Sequence, residues 1–497
     1  MADDRPVDST DQREQRLIKL ERLRAAGVDP YPAHFQPTHT VASLLAAFAE
    51  AEKQGTTVEA TVGGRLVAIR AMGKATFAHL ADGTGRLQVY LRADEVGPEL
   101  YERFVRDLDL GDFLGVSGEL FRTRTGEVTL RVRDYVPLAK ALRPLPSKWH
   151  GLREVEIRYR QRYLDLLSNP DVRRIFEVRS RLVTAVRQLL DERGFLEVET
   201  PILQPIYGGA AARPFTTYHN ALDETLYLRI SDELYLKRLI IGGMDRVYEI
   251  GRDFRNEGIS YKHNPEFSQL EIYQAYADYY DMMRLAEEVW SQAAIRVLGT
   301  PIIERAGRQI DLTPPWKRIT MRDAILEGTG IDIEAARDLE SLRRAIAERG
   351  LEADREPTWG KQIDDLFGRH VEPNLIEPTI IMDYPVEISP LAKRKADAPH
   401  LVERFEFFIG GLEAGNAFSE LNDPIDQRER FAAQCSQRSE GDEEAHPMDE
   451  AFLLAMEYGM PPTGGIGWGI DRMTMIMTGQ TSIREVILFP QLRNKQD

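Results

Sequence analysis

Residues 254 to 273 read FRNEGISYKHNPEFSQLEIY, and their side chains are of the types that handle a nucleotide. The planar guanidinium of Arg255 can fork onto an α-phosphate and a substrate carboxylate together. Glu257 lies two residues further on, the same side of an extended strand, and can accept from the amino group of an adenine. Phe267 offers a face for the purine, a stacking contact worth about 1–3 kcal/mol where base stacking has been measured. In FEFFIGGLEAGNAFSELND, Glu406, Glu413 and Glu420 recur at intervals of seven. Carboxylates beside a bound nucleotide provide the hard oxygens that Mg²⁺ prefers. The same spacing can also mark one solvated helix face, but interrupting glycines argue against a helix there. Finally, GGIGWGIDRMTMIMTG at 464–479 reads as a glycine-rich turn entering an apolar helix. Its glycines let backbone approach a ligand, and Arg472 can lie over an adenine ring while reaching a γ-phosphate.

These side chains need elements to hold them. RVYEIGRD before the first segment and LEIYQAYADYY after it alternate apolar with polar residues, so two strands flank a polar loop whose turn residues are Asn256, Gly258, Asn264 and Pro265. A plain surface hairpin is the alternative, but it needs no charges at fixed spacing. Residues 11–26 form an amphipathic helix with Leu17, Leu20 and Leu23 on one stripe, stopped by Gly27 and Pro30. From residue 59 to 138 the pattern changes to five short strands with a helix, PELYERFVRD, between the third and fourth, the order of an OB-fold barrel. Such barrels often bind oligonucleotides, although many bind nothing. LRPLPSKWHGLREVEIRYRQRYLDLL marks a linker at 142–165. Beyond it, Ile175, Val178, Leu182, Val186 and Leu189 recur at three and four residues, with Gly194 at a helix C-cap and Pro201 ending the next strand.

The composition narrows the classes. A chain of 497 residues with 42% hydrophobic content suits a soluble, multidomain globular protein. No apolar run approaches the length of a membrane span, and the charged N-terminus, MADDRPVDSTDQREQR, fits neither a signal nor a transit peptide, so a cytoplasmic location is expected. Cys435 stands alone, which excludes an internal disulfide and a multi-cysteine zinc site. The net charge of −16 disfavours nucleic acid as a partner, but eleven Lys and Arg against five acids between residues 140 and 181 make a basic stripe that either steers RNA or is a solvated face. The segment 439–450, SEGDEEAHPMDE, is its acidic opposite.

The 254–273 segment resembles motif 2 of the class II aminoacyl-tRNA synthetases, and its NEG, HNPEF and LEIY elements resemble the lysyl-tRNA synthetase version. Residues 172–201 are similar to motif 1, the family's dimer element, and 464–490 to motif 3. RAMGKATFAHLADGTGRLQVY is similar to the family's anticodon-binding barrel. The resemblance implies an α+β multidomain chain: a helical extension over 1–58, an OB-fold over 59–141, and a catalytic domain over 166–497 built on an antiparallel sheet flanked by helices, with a helical insertion near 316–373. It implies that Phe77 stacks an anticodon base beside Arg70 and Gln88, although Phe77 as a bare pattern can also be a core residue. It implies ATP contacts at Arg255, Glu257, Lys262, His263, Phe267 and Arg472, with Arg255 and Arg472 catalytic, and Mg²⁺ held by Glu406 and Glu413. Two positions depart from the family: Lys262 stands where arginine is common, and Trp468 where a smaller aliphatic residue is usual.

The resemblance leaves lysine, aspartate and asparagine as candidate substrates, and charge separates them. An aspartate pocket needs cations, whereas a lysine side chain needs buried carboxylate and hydroxyl acceptors. The matching positions are Glu233, Glu271, Tyr273 and Glu420, with Asn416, Phe418 and Gly209 also lining the pocket; Gly209 belongs to a closing loop, YGGAAARPF. Glu420 with Tyr273 is expected to take the ε-ammonium, and Glu233 with Glu271 the α-ammonium. The implied activity is ATP-dependent attachment of L-lysine to tRNA(Lys) through a lysyl-adenylate, by a homodimer. Relatives that lysylate proteins lack the barrel, and non-catalytic paralogues lose motif residues; here both are present.

Overall fold

The computed structural model describes residues 9–146, 152, 154–439 and 444–493, in two compact units, 1–151 and 152–497. Residues 147–151 and 153 of the basic stripe and 440–443 of the acidic run lie outside the described residues.

In the first unit, β1 (Glu59–Met72), β2 (Ala75–Ala81), β3 (Arg86–Arg92), β4 (Phe113–Arg122) and β5 (Val128–Ala139) close into a barrel in the order β1-β2-β3-β5-β4. Alternation decides which side chains fill it: Ala78 and Leu80 of β2 and Leu87, Val89 and Leu91 of β3 point inward, and Tyr101 and Phe104 of the helix Pro98–Asp107 join them. Leu23 and, from the helix Val41–Gln54, Val41, Leu44 and Phe48 belong to the same cluster, so the N-terminal helices share the barrel's core. The first helix is also tied down by polar contacts. Arg16 donates to the carbonyls of Ala141 (2.9 Å) and Leu110 (3.1 Å), and Lys19 pairs with Asp109 (2.6 Å).

The second unit is organised by an eight-stranded sheet. In chain order its strands and their small neighbours are β6 (Leu196–Glu197), β7 (Leu203–Gln204), β8 (Thr216–His219), β9 (Glu224–Leu228), β10 (Arg246–Phe254), β11 (Glu266–Ala275), β12 (Ile302–Arg305), β13 (Arg308–Asp311), β14 (Lys317–Thr320), β15 (Thr379–Pro385), β16 (Leu401–Ile409), β17 (Leu412–Ser419) and β18 (Thr463–Gly469). The sheet order is β14-β15-β16-β17-β18-β11-β10-β6, with antiparallel pairs from β15 to β10 and a parallel pair at each edge. The helices Pro170–Asp191 and Tyr279–Leu298 cover one face, and the predicted heptad-like set Ile175, Val178, Leu182, Val186 and Leu189 is buried there with Trp290 and Met282. The chain leaves the first of these helices through Gly194 at φ 77°, a left-handed value that glycine takes without a Cβ clash.

Three expectations need correction. The second half of the expected linker is helical, at Val155–Arg160 and Arg162–Ser168, and is bound to the C-terminal segment: Arg158 pairs with Glu485 (2.9 Å), and Arg162 donates to the carbonyl of Leu488 (3.0 Å). With Arg179 paired to Asp471 (2.5 Å), three arginines of the basic stripe are engaged in holding the unit together. The insertion's helices begin at Met321, because Trp316 lies in the main core and β14 completes the sheet edge. Most plainly, the glycine-rich run of 464–469 is the central strand β18, and only Ile470–Met477 is helix.

Candidate active site

The sheet face opposite the helices forms the floor of a cavity of 360 Å³, walled by the loop between β10 and β11, by Gly209–Ala211 and by the helix bearing Arg472. Strand alternation explains the glycines of β18. Ile466 and Trp468 point into the core, where Trp468 packs edge-on against Trp290 (6.3 Å) and Phe407 (6.5 Å). Gly465 and Gly467 therefore face the cavity. A Cβ on Gly465 would overlap Glu420 Oε1 and come within 2.6 Å of the Tyr273 ring; one on Gly467 would overlap the Glu271 carboxylate. The floor is bare backbone so that carboxylates from neighbouring strands can lie across it. Gly467→Ala is expected to raise the KM for the amino-acid substrate at least tenfold and to cost about 1–3 kcal/mol of stability, as overpacking does; substrate kinetics and thermal unfolding check the two halves separately.

One end of the cavity is cationic. Arg255 stacks over the Phe267 ring at 5.1 Å from its centroid, and Arg472 donates to Glu413 Oε2 (2.8 Å) and to the Glu413 carbonyl (3.2 Å). Lys262 Nζ lies 3.6 Å from Glu372, a point charge facing the same space. His263, whose Nδ1 is 2.9 Å from Ser260 Oγ, is lowered to about 4 by burial and then by the charges of Arg472 and Lys262, so it stands neutral at physiological pH. The expected geometry of Glu257 is not found. β10 ends at Phe254, and the Glu257 N–H donates to the carbonyl of Arg255 (2.8 Å), a tight turn in place of an extended strand. Glu257 still lines the cavity.

The other end is anionic. Glu233 and Lys237 sit one turn apart on the helix Glu233–Ile241, 2.5 Å between Oε1 and Nζ, and Glu420 closes on the same Nζ from the end of β17. Glu271 accepts from Gln269 (3.1 Å) and from the Tyr273 hydroxyl (3.2 Å). Within the protein itself Tyr273 is bonded to Glu271, and Glu233 and Glu420 share one lysine. Tyr273 nevertheless flanks Glu420 across Gly465. Burial, followed by Glu233, pushes the Glu271 carboxyl up to about 8. Phe418 presents its ring 5.3 Å from Lys237 Nζ, Asn416 accepts from Arg404 (2.9 Å), and Gly209, at φ 89°, lines the wall. Sequence reasoning missed Lys237 and Arg404. The Glu-x-x-x-Lys spacing of ELYLK was the available signal for Lys237.

Glu406 and Glu413 lie on the hairpin of β16 and β17 between the two ends. Burial first, offset by Arg404 and reinforced by Glu413, pushes Glu406 up to about 7; in Glu413 the pull of Arg472 overcomes burial and holds the carboxyl below its ordinary value. Two carboxylates, one of which raises the proton affinity of the other, fit a divalent cation completed by substrate phosphates. No group of three or more metal-type side chains occurs among the described residues.

On the barrel, Phe77 lies on the outer face and not in the core, its ring 4.6 Å from that of Tyr90. Register places Arg70 opposite Phe77, Phe77 opposite Tyr90 and Tyr90 opposite Arg131, in one cross-strand row. Gln88 lies in the next row, donating to Glu127 (2.7 Å) and accepting from Thr129 (2.8 Å). Tyr90 and Phe121, whose rings are 6.3 Å apart, extend an aromatic surface that the sequence had not singled out.

An antiparallel sheet carrying a forked arginine, a stacking ring and a second arginine on the next helix defines a class II synthetase, and residues 154–493 match the family described as tRNA synthetases class II (D, K and N). Residues 60–138 match the OB-fold nucleic acid binding domain. Lysine–tRNA ligases of Chloroflexus aurantiacus (56% identical, 99% of this chain and 100% of that protein), Pelotomaculum thermopropionicum (55%, 100% and 97%) and Bacillus subtilis (51%, 98% and 98%) are similar along nearly their whole length. The chain belongs to the lysine–tRNA ligase family.

Proposed function

We propose that this chain attaches L-lysine to tRNA(Lys) in two steps, and the observation that carries the reading is one cavity with guanidinium groups at one end and buried carboxylates at the other. In the first step a carboxylate oxygen of lysine attacks the α-phosphorus of ATP, the bond to the β-phosphate breaks, and pyrophosphate leaves. In the second, a terminal ribose hydroxyl of tRNA attacks the lysyl carbonyl, and AMP leaves. No side chain acts as nucleophile. Arg255, stacked on Phe267, holds the α-phosphate and the lysine carboxylate within reach of each other; Arg472 meets the outer phosphates, with Lys262 and neutral His263 beside them. Mg²⁺, held by Glu406 and Glu413, would neutralise charge on the leaving phosphates. Glu233, Glu271, Tyr273 and Glu420 receive the two ammonium groups.

The barrel's outer face, with Arg70, Phe77 and Gln88, reads the anticodon by stacking and hydrogen bonding. Phe77→Ala is expected to raise the KM for tRNA about 5- to 150-fold, in line with 1–3 kcal/mol per stacked base, while lysine-dependent exchange without tRNA serves as the control. Leu196, Ile202, Leu203, Tyr218 and Leu222, after the 170–191 helix, are exposed apolar side chains of the kind a homodimer would cover. No described helix is long and apolar enough to cross a membrane, and we place the enzyme in the cytoplasm.

Lysine-dependent exchange of pyrophosphate into ATP, with aspartate, asparagine and ornithine as controls, tests the reading; exchange with aspartate or asparagine, or with none, overturns it. The same assay carries a pH signature. Glu271, at about 8, is protonated in the empty site at neutral pH and must ionise to receive an ammonium group. Lysine binding then releases a proton, and the KM for lysine is expected to fall as pH rises toward about 8 and to level off above it. A KM flat across that window removes Glu271 from the binding set.

A further inference from the structure

The lysine pocket already contains a lysine. Lys237 is fully buried, 2.5 Å from Glu233, in contact with Glu420, and 5.3 Å from the Phe418 ring. From the other elements packed around it come Glu271 and Tyr273 of β11, and His446, which burial and then Lys237 itself lower to about 4 and so keep neutral. A buried ion pair has no need of a second carboxylate, and here one ammonium is shared by two. With Glu271 the set is three carboxylates against one cation, flanked by a further opposed acid and base, Asp232 interacting with Glu271 and Arg404 with Glu233. Fully ionised, it lacks two positive charges, the number an amino acid with a cationic side chain brings on its two ammonium groups.

We propose that Lys237 is a positioning residue, a permanent internal counter-ion that orients Glu233 and Glu420 and sets the pocket's charge deficit to match an amino acid bearing two ammonium groups. Burial raises both carboxyls, and Lys237 is the largest influence opposing it at each. Burial would lower Lys237 itself, but Glu233 and Glu420 outweigh it, so the ammonium stays charged. Glu420 stays well above its ordinary value even so; without Lys237 both carboxyls would hold their protons more firmly and offer a substrate ammonium a neutral acceptor. The inference rests on the lysine-pocket reading, and the two fail differently: no lysine-dependent exchange by the unaltered chain sinks that reading, whereas the results below concern Lys237 alone.

The experiment is pyrophosphate exchange by the full chain carrying Lys237→Met, which keeps length and removes charge. The expected result is a rise in the KM for lysine of about 100-fold or more with kcat changed less than about threefold. The slope of log KM against pH below about 8 should steepen, because Glu233 and Glu420, no longer drawn toward ionisation by Lys237, must release more proton on binding. A structural role alone would lower the melting temperature and leave that slope unchanged. A folded variant with unaltered KM and slope overturns the proposal. Where the single variant does not fold, Lys237→Met/Glu420→Gln removes one charge of each sign. A KM within about tenfold of Glu420→Gln alone supports action through Glu420, and a further loss of about 100-fold overturns it.

Discussion

Glu420→Ala is expected to raise the KM for lysine in pyrophosphate exchange by about 150-fold to several thousandfold, the equivalent of 3–5 kcal/mol for breaking a buried charge pair. Glu420 is 1% exposed and closes on Lys237, and its Oε1 fills the space left above Gly465. Removing it takes away the acceptor for the ε-ammonium and leaves Lys237 with Glu233 alone, so the substrate must compete with a resident cation for one carboxylate. The KM for ATP should move little, because the guanidinium end of the cavity is built from other elements. A near-normal KM for lysine in this variant would sink the assignment of the pocket.

Arg255→Lys is expected to lower the rate of adenylate formation about 10²- to 10³-fold, even though the charge is kept. Arg255 sits over the Phe267 ring and lines the cavity. A lysine ammonium is a point charge that cannot contact a phosphate oxygen and a carboxylate in one plane, nor cover the ring. The loss should fall on kcat more than on either KM, because the arginine meets the phosphorus where charge changes in the transition state. Single-turnover formation of lysyl-adenylate measures this directly; a drop confined to the KM for ATP would recast Arg255 as a binding group only.

Segments with strong periodicity could be read without coordinates. The Ile175 to Leu189 stripe, the five barrel strands and the hairpin around the 255–265 loop each repeat a pattern set by burial on one face, and each forms where that pattern places it. The glycine run of 464–469 misled because the signal for a strand lies in side chains, and on the cavity face this strand has none; Ile466 and Trp468 were the only trace of alternation. Glu257 misled for the opposite reason: a two-residue spacing means one face only if the backbone stays extended, and the chain turns at Arg255. The polar partners were hidden for a third reason. That Tyr273 bonds Glu271, or that Lys237 bridges residues 233 and 420, depends on contacts between elements far apart in the chain, which no local spacing encodes. The barrel's aromatic face was half visible, since alternation pairs Phe77 with Tyr90 only once the register of β2 and β3 is known.

A floor of bare backbone also constrains how the pocket can change. Most binding sites alter their selectivity by trading one lining side chain for a larger or smaller one. Beneath the two carboxylates this site has nothing to trim, and any addition at 465 or 467 displaces the groups that recognise the substrate. A variant accepting a bulkier amino acid therefore has to be sought on the walls, at the Gly209–Ala211 loop or Phe418, while the central strand stays fixed.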